Sequence, residues 1–427
     1  CIRDRYTFVA RRALSLGTLS AKTQANGIVN DIVLRDENGS IVKYDRDRAD
    51  YYATIALSIP EVIISASFKS TASETAPNKG GYYLLVNGER FDDPSNVSVS
   101  LDSALSSEDI TVTICHEDDA SVQSTYTLHL TKTAPTPVRF VTEPADAITF
   151  VISNSTSLSV PKNEDGTYSL IPGESYAYTV TKVGFAGIHE SNYIPVQSDE
   201  VIEINAVLTA AEPNPNLDPN LDAQWPTFRA NRFNNGVVDY PIPTIANDSV
   251  LYWATQFGSG YGSNACSCPI IVDDFLYVYA GTNIYKIDKT SGEALVTKSM
   301  AASSSFAINS PTYADGMIFV GLSNGRIQAF DAVTLDSLWL FTDSNGGQPN
   351  CPITVKNGYA YTGFWNSEVT DASFVCLSLT DEDPKNTTEA KSASWRYVRK
   401  GGFYWAGAYA CEDYVLVGTD DGERGYR

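Results

Sequence analysis

Cysteine, histidine and aromatic side chains are the residues of this 427-residue chain whose types and spacing could do chemistry. Its seven cysteines are Cys1, Cys115, Cys266, Cys268, Cys351, Cys376 and Cys411. That set is sparse and odd, unlike the framework of a small disulfide-stapled domain. Cys266, Cys268 and Cys351 could form a disulfide, hold a metal, or be buried thiols. The thiol reading is favoured, because equivalent residues of separate repeats seldom bring Cα atoms to the ~5.5 Å a bridge needs. His116, His129 and His189 all precede residue 210, so the C-terminal half lacks the commonest general base and metal ligand. His129 lies in a strand-like run and His116 borders one, which suits surface or cross-strand roles. No nucleophile elbow, phosphate loop or His-Glu-x-x-His pattern occurs. The turns Asp36-Glu37-Asn38-Gly39, Asp45-Arg46-Asp47 and Asp343-Ser344-Asn345-Gly346 lack the remote glutamate of a calcium loop and read as ordinary turns.

Six aromatic residues are the candidate binding set: Tyr261, Phe364, Trp365, Phe403, Tyr404 and Trp405. They fall in glycine-rich loops, where exposed rings can stack on sugar rings or peptide side chains. Their competing role is packing between sheets.

The elements that must position them are repeats. Cys268-Pro269-Ile270-Ile271-Val272-Asp273-Asp274, Ser310-Pro311-Thr312-Tyr313-Ala314-Asp315-Gly316 and Cys351-Pro352-Ile353-Thr354-Val355-Lys356-Asn357 start 42 and then 41 residues apart. A period of about 40–45 residues suits one four-stranded propeller blade. Such a blade buries its faces by stacking on neighbours. The third repeat carries a loop insertion through Asp381-Glu382-Asp383-Pro384-Lys385, and a fourth shows Tyr414-Val415-Leu416-Val417-Gly418-Thr419-Asp420-Asp421-Gly422. Residues 225–427 fall short of the roughly 290–340 that seven or eight blades require, so an open ring and a fragment of a longer protein are expected.

The fold class expected is all-β, with two small β-sandwich domains followed by an incomplete β-propeller showing about four blades. The boundaries expected are an unassigned basic segment at 1–28, sandwiches at 29–134 and 135–209, a Pro/Asn-rich linker at 210–224, and the propeller from 225 to 427. Within the first segment Ala10 to Leu19 has mild helical character. Asn87-Gly88 after Tyr82-Tyr83-Leu84-Leu85-Val86 predicts a tight hairpin. The three prolines of the linker predict an exposed, semi-extended spacer.

Several runs resemble known families. Asp50-Tyr51-Tyr52-Ala53-Thr54, Val86-Asn87-Gly88, Ile110-Thr111-Val112-Thr113-Ile114 and the closing run Ser124 to Thr131 resemble a cadherin-like β-sandwich of bacterial surface proteins. Leu170 to Tyr176 with Val183-Gly184-Phe185 resembles the small PEGA-type modules. Trp225-Pro226-Thr227-Phe228-Arg229, Ile284 to Asp288 with Ser291-Gly292, and Ile327 to Asp331 closing on Leu338-Trp339 resemble quinoprotein-type propeller repeats. Dehydrogenases of that type place adjacent, disulfide-joined cysteines beside a quinone. This chain has Cys266-Ser267-Cys268 instead, and no calcium ligand set matches, so no cofactor is expected.

The net charge of −21 is uneven: +4 over residues 1–28, −18 over 29–224 and −7 from Trp225 onward. Clustered basic surface is missing from most of the chain, which argues against a nucleic-acid partner, and no apolar run reaches membrane-spanning length. The composite expectation is a bacterial extracellular or envelope-attached protein, non-enzymatic, whose propeller binds a protein or glycan while the sandwiches act as spacers. Its rivals are a catalytic propeller (a quinone-dependent oxidoreductase or polysaccharide lyase) and an envelope-assembly scaffold.

Overall fold

Period-two alternation of apolar and polar residues dominates the chain, and the fold it produces is all-β. A computed structural model describes residues 15–25, 28–68, 81–93, 95–117, 119–231, 233, 235–239, 251–306, 309–412 and 414–420. Cys1, most of the basic N-terminal segment, Asn234 and the end of the last repeat lie outside them. The chain divides into two compact units: residues 1–139, 153–176 and 192–203 form the first, and residues 140–152, 177–191 and 204–427 the second.

The first unit is built on two sheets. One has the strand order Ile28–Asp31, Leu16–Ala25, Glu61–Phe68, Val97–Ser100. The other runs Asp50–Ala56, Asp119–Thr133, Ser107–His116, Tyr82–Val86, Glu89–Phe91. Alternate residues of each strand, among them Tyr51, Ala53, Val62, Ile64, Leu84, Val112 and Leu128, fill a single core. Asn87 and Gly88 both take positive φ, 49° and 83°, as the tight hairpin requires. Leu16–Ala25 is a strand paired with Glu61–Phe68, so Leu16 to Leu19, at the end of the run with mild helical character, is extended, while residues 10–14 of that run lie outside the described residues. Burial of Leu16, with Leu19 packed against the same core, overrides the weak helical propensity.

The second unit contains the repeats. Three consecutive sheets each present a four-stranded antiparallel meander: Ile270–Val272, Phe275–Ala280, Asn283–Asp288, Ala294–Ser299; then Thr312–Ala314, Met317–Leu322, Arg326–Asp331, Ser337–Thr342; then Thr354–Lys356, Tyr359–Gly363, Asp371–Ser378, Trp395–Lys400. These are the propeller-type blades that the period predicts, and Tyr409–Ala410 paired with Val415–Leu416 follows them. The tight turns between first and second strands use Asp315-Gly316 and Asn357-Gly358, all four residues at positive φ. The first strands begin at Ile270, Thr312 and Thr354, so the structural period is 42 at both steps. Cys351 therefore does not match Cys268, as its motif suggested; Pro352 does. One extra residue separates Pro352 from its turn.

Face-to-face packing follows from the alternation. Ile318, Val320 and Leu322 of the second blade join Ile270, Val272, Tyr277 and Ile284 of the first. The intervening Met317 and Phe319 join Ile353, Ala360, Val375 and Leu377 of the third. Each fully buried side chain of this kind is worth about 1.5–3 kcal/mol. Residues 225–227 cross the first strands of all three blades. Trp225 exchanges backbone hydrogen bonds with Ile271 at 2.9 and 3.0 Å, Pro226 O accepts from Tyr313 N at 2.7 Å, and the Thr227 hydroxyl lies 3.0 Å from that of Thr312. The Thr227 and Thr312 hydroxyls also reach Ile353 O, at 3.1 and 3.2 Å.

The linker is exposed at Pro213, Pro215 and Pro219, and it docks at a few apolar points. Leu217 packs on the core between the second and third blades, and Leu221 and Ala223 on that between the first and second. The insertion in the third repeat is likewise ordered: Glu389–Lys391 pairs in parallel with Trp339–Phe341, adding a fifth strand to the second blade. An otherwise open sheet edge is covered in this way.

Candidate functional site

Two close approaches shape the aromatic loops of the third blade. A Cβ on Gly363 would fall 2.4 Å from Cβ of Phe403, and one on Gly402, at φ +60°, 2.5 Å from Phe364 O. Glycine at these positions lets segments 363–365 and 402–405 touch, and Phe403 N donates to Phe364 O at 2.9 Å. Trp365 is anchored from the other side by backbone hydrogen bonds with Gln348, at 2.6 and 3.0 Å.

This arrangement sorts the six candidate residues. Phe364 and Phe403 are fully buried, Phe403 packing 5.2 Å from the Phe374 ring. Trp365, Tyr404 and Trp405 form a continuous aromatic cluster, the first two rings tilted with centroids 4.9 Å apart and the last two edge-to-face at 4.2 Å. Trp405 is 53% exposed and sits at φ +60°. A non-glycine residue in that region carries about 1–3 kcal/mol of strain and persists where its surroundings over-determine it. Trp365 Nε1 is buried with no hydrogen-bond partner. Tyr261 is 81% exposed and packs on Phe306 at 5.5 Å, beside the Gly262–Asn264 turn.

The cysteines divide by burial. Cys266 and Cys268 are exposed free thiols, and Cys351 is a buried free thiol, so no pair among the three is bonded in this structure. Cys351 donates from Sγ to Ala406 O at 3.1 Å, within a cluster of Phe374, Phe403 and Ala408. It thus supports the aromatic loop from beneath, a role its sequence motif did not signal. Burial pushes the Cys351 thiol up to about 11 and raises Cys376 as well, leaving both poor nucleophiles at neutral pH.

Elsewhere polar groups have structural partners. Asp343 accepts from Ser373 Oγ at 2.8 Å and Asn345 N at 3.1 Å, with Arg396 Nη1 at 3.4 Å, while Asp36 accepts from Asn38 N and Ser40 N. His129 lies in the first unit between Asp109, 2.8 Å from Nδ1, and Asp50, 3.2 Å from Nε2, its ring stacked on Tyr52. Burial lowers the pKa of His189. Among the described residues no three His, Cys, Asp or Glu side chains converge as a metal site. Lys391, buried on the inserted strand, donates to Thr380 O and Glu382 Oε1, both at 2.6 Å.

Residues 246–370 match the family described as outer membrane protein assembly factor BamB. That span holds the first two blades and the first two strands of the third. Solved structures with similarity include the quinohemoprotein alcohol dehydrogenase of Pseudomonas putida HK5, at 16% identity over 41% of this chain and 26% of that one, TM-score 0.32. The corresponding enzyme of Comamonas testosteroni is 20% identical over 43% of this chain and 28% of its own, TM-score 0.32. BamB from Moraxella catarrhalis is 11% identical, covering 95% of this chain and 98% of its own, TM-score 0.28. The chain thus spans about a quarter of the length of the two dehydrogenases. No curated protein matches significantly. No helix among the described residues is long and apolar enough to cross a membrane.

Proposed function

We propose that this chain is a non-enzymatic binding protein of the bacterial cell envelope or surface, whose blades present an aromatic loop to a protein partner. The observation that carries this reading is the Trp365–Tyr404–Trp405 aromatic cluster, clamped by Gly363, Gly402, Gln348 and Cys351 and ending in a half-exposed indole. Tryptophan and tyrosine dominate binding hot spots because they supply large, rigid, amphipathic area at low entropic cost. The match to an assembly factor of the outer membrane supports an envelope setting and a protein partner.

Arrays of peptides and of glycans test the reading. Binding to peptide that falls at least tenfold in both Trp405→Ala and Trp365→Ala, with the fold retained by circular dichroism, supports it. Ligands that the two variants bind as tightly as the parent would remove it, and binding confined to glycans would replace the protein partner with a carbohydrate.

A further inference from the structure

A cavity of about 360 Å³ in the second unit combines three carboxylates, Asp331, Asp336 and Asp381, with three apolar side chains, Val333, Leu338 and Pro384. Two of the carboxylates are committed. Asp331 Oδ1 accepts from Val333 N and Thr334 N, both at 2.7 Å, and Asp336 Oδ1 pairs with Lys298 Nζ at 2.7 Å. Asp381 differs. It is only 6% exposed; its Oδ2 accepts from Asn214 Nδ2 at 2.6 Å, and its Oδ1 is buried with no hydrogen-bond partner.

The nearby buried cation does not meet that need. Lys391 Nζ is bonded to Thr380 O and Glu382 Oε1 and lies 3.9 Å from Glu389 Oε1. Burial raises the pKa of Asp381, with Asn214 and Lys391 opposing, so a bound cation would relieve a real desolvation cost. A buried carboxylate oxygen without a donor is unfavourable by more than an ordinary hydrogen bond is worth. A ligand supplying a charged donor regains that loss.

We propose that this cavity binds the primary ammonium group of an aliphatic amine, with Asp381 as counter-ion and Val333, Leu338 and Pro384 against the methylene stem. One oxygen of Asp381 is already engaged by Asn214. A single-point ammonium donor therefore fits better than the two-pronged guanidinium fork, which needs both oxygens. The same chemistry is offered by a lysine side chain of a partner and by a free diamine. The Asp381 region is the loop insertion visible in the sequence, and the linker residue Asn214 completes the site, so the pairing could not be read from either segment alone.

The full chain serves for the test, with n-butylammonium as probe and 1-butanol as its neutral control. Butylammonium is expected to raise the melting temperature in a saturable way that butanol does not reproduce, and Asp381→Asn to weaken that binding at least tenfold. Carbon-13 NMR of the Asp381 carboxylate gives a second readout on the parent protein: its apparent pKa should fall when the amine binds. Tighter binding of a lysine-containing peptide than of its norleucine counterpart assigns the source to a partner, and tighter binding of cadaverine assigns it to a small amine. No ammonium-specific stabilisation, an equal response in Asp381→Asn, or an Asp381 resonance that ignores the amine would each overturn the proposal.

Discussion

Adjacent residues of one strand offer the sharpest perturbation of the blade stack. Ile318 faces the first blade and Phe319 the third, and both are fully buried. Phe319→Ala removes a ring 5.6 Å from that of Trp339 and leaves a cavity between blades. Truncations of this kind cost about 3–5 kcal/mol for Phe and about 2–5 kcal/mol for Ile. At typical urea slopes of about 1–3 kcal/mol per molar, each should lower the unfolding midpoint by roughly 1 M or more. Leu295→Ala, at a site 50% exposed on the outer strand of the first blade, is the control and should stay within about 0.5 kcal/mol of the parent. Urea titration followed by tryptophan fluorescence reads all three. A sheet with one solvated face would leave one of the two neighbouring substitutions as mild as the control, and that outcome would refute the two-sided packing.

Three further outcomes are expected. Burial opposes the charged form of His129, but hydrogen bonds and charge from Asp109 and Asp50 outweigh it and raise its pKa. Its contribution to stability, about 0.2–1 kcal/mol for a pair this accessible, should be full below the unfolded pKa and vanish as pH rises through the folded one; equal pH profiles for parent and His129→Gln would contradict this. Lys391→Ala strands Glu382 and Glu389 beside the fifth strand of the second blade and should cost about 3–5 kcal/mol by thermal unfolding, with much of it recovered in the Lys391→Ala, Glu382→Gln double variant. Iodoacetamide on the native protein should modify Cys266 and Cys268 and spare Cys351 and Cys376, as read by peptide mass mapping; prompt labelling of Cys351 would show the aromatic loop to be open.

The blades were legible in the sequence because turn chemistry and strand period coincide. Asp315-Gly316 and Asn357-Gly358 mark the tight turns, and alternating apolar residues mark strands buried on both faces. The site was legible only in part. Gly-Phe-Trp at 363–365 and Gly-Phe-Tyr-Trp at 402–405 look alike locally, yet the phenylalanines point into the core and the following rings stack outward. That division depends on the close approach at Gly363 and Gly402, a tertiary feature with no local signature. Cys351 stands one residue before the position equivalent to Cys268, and motif alignment absorbed that offset silently. Linker packing through Leu217 and Leu221, and strand addition by Glu389–Lys391, involve partners distant in sequence and equally escaped it.

The central claim is that successive blades stack side by side with their first strands crossed by residues 225–227. Disulfide trapping tests it directly, since the Thr227 and Thr312 hydroxyls lie 3.0 Å apart. A Thr227→Cys, Thr312→Cys variant oxidised under native conditions should yield the linked peptide in high yield on mass mapping and unfold at higher denaturant than its reduced form. Thiols at 227 and 312 that stay free to alkylation after oxidation, in a protein still folded, would contradict the arrangement.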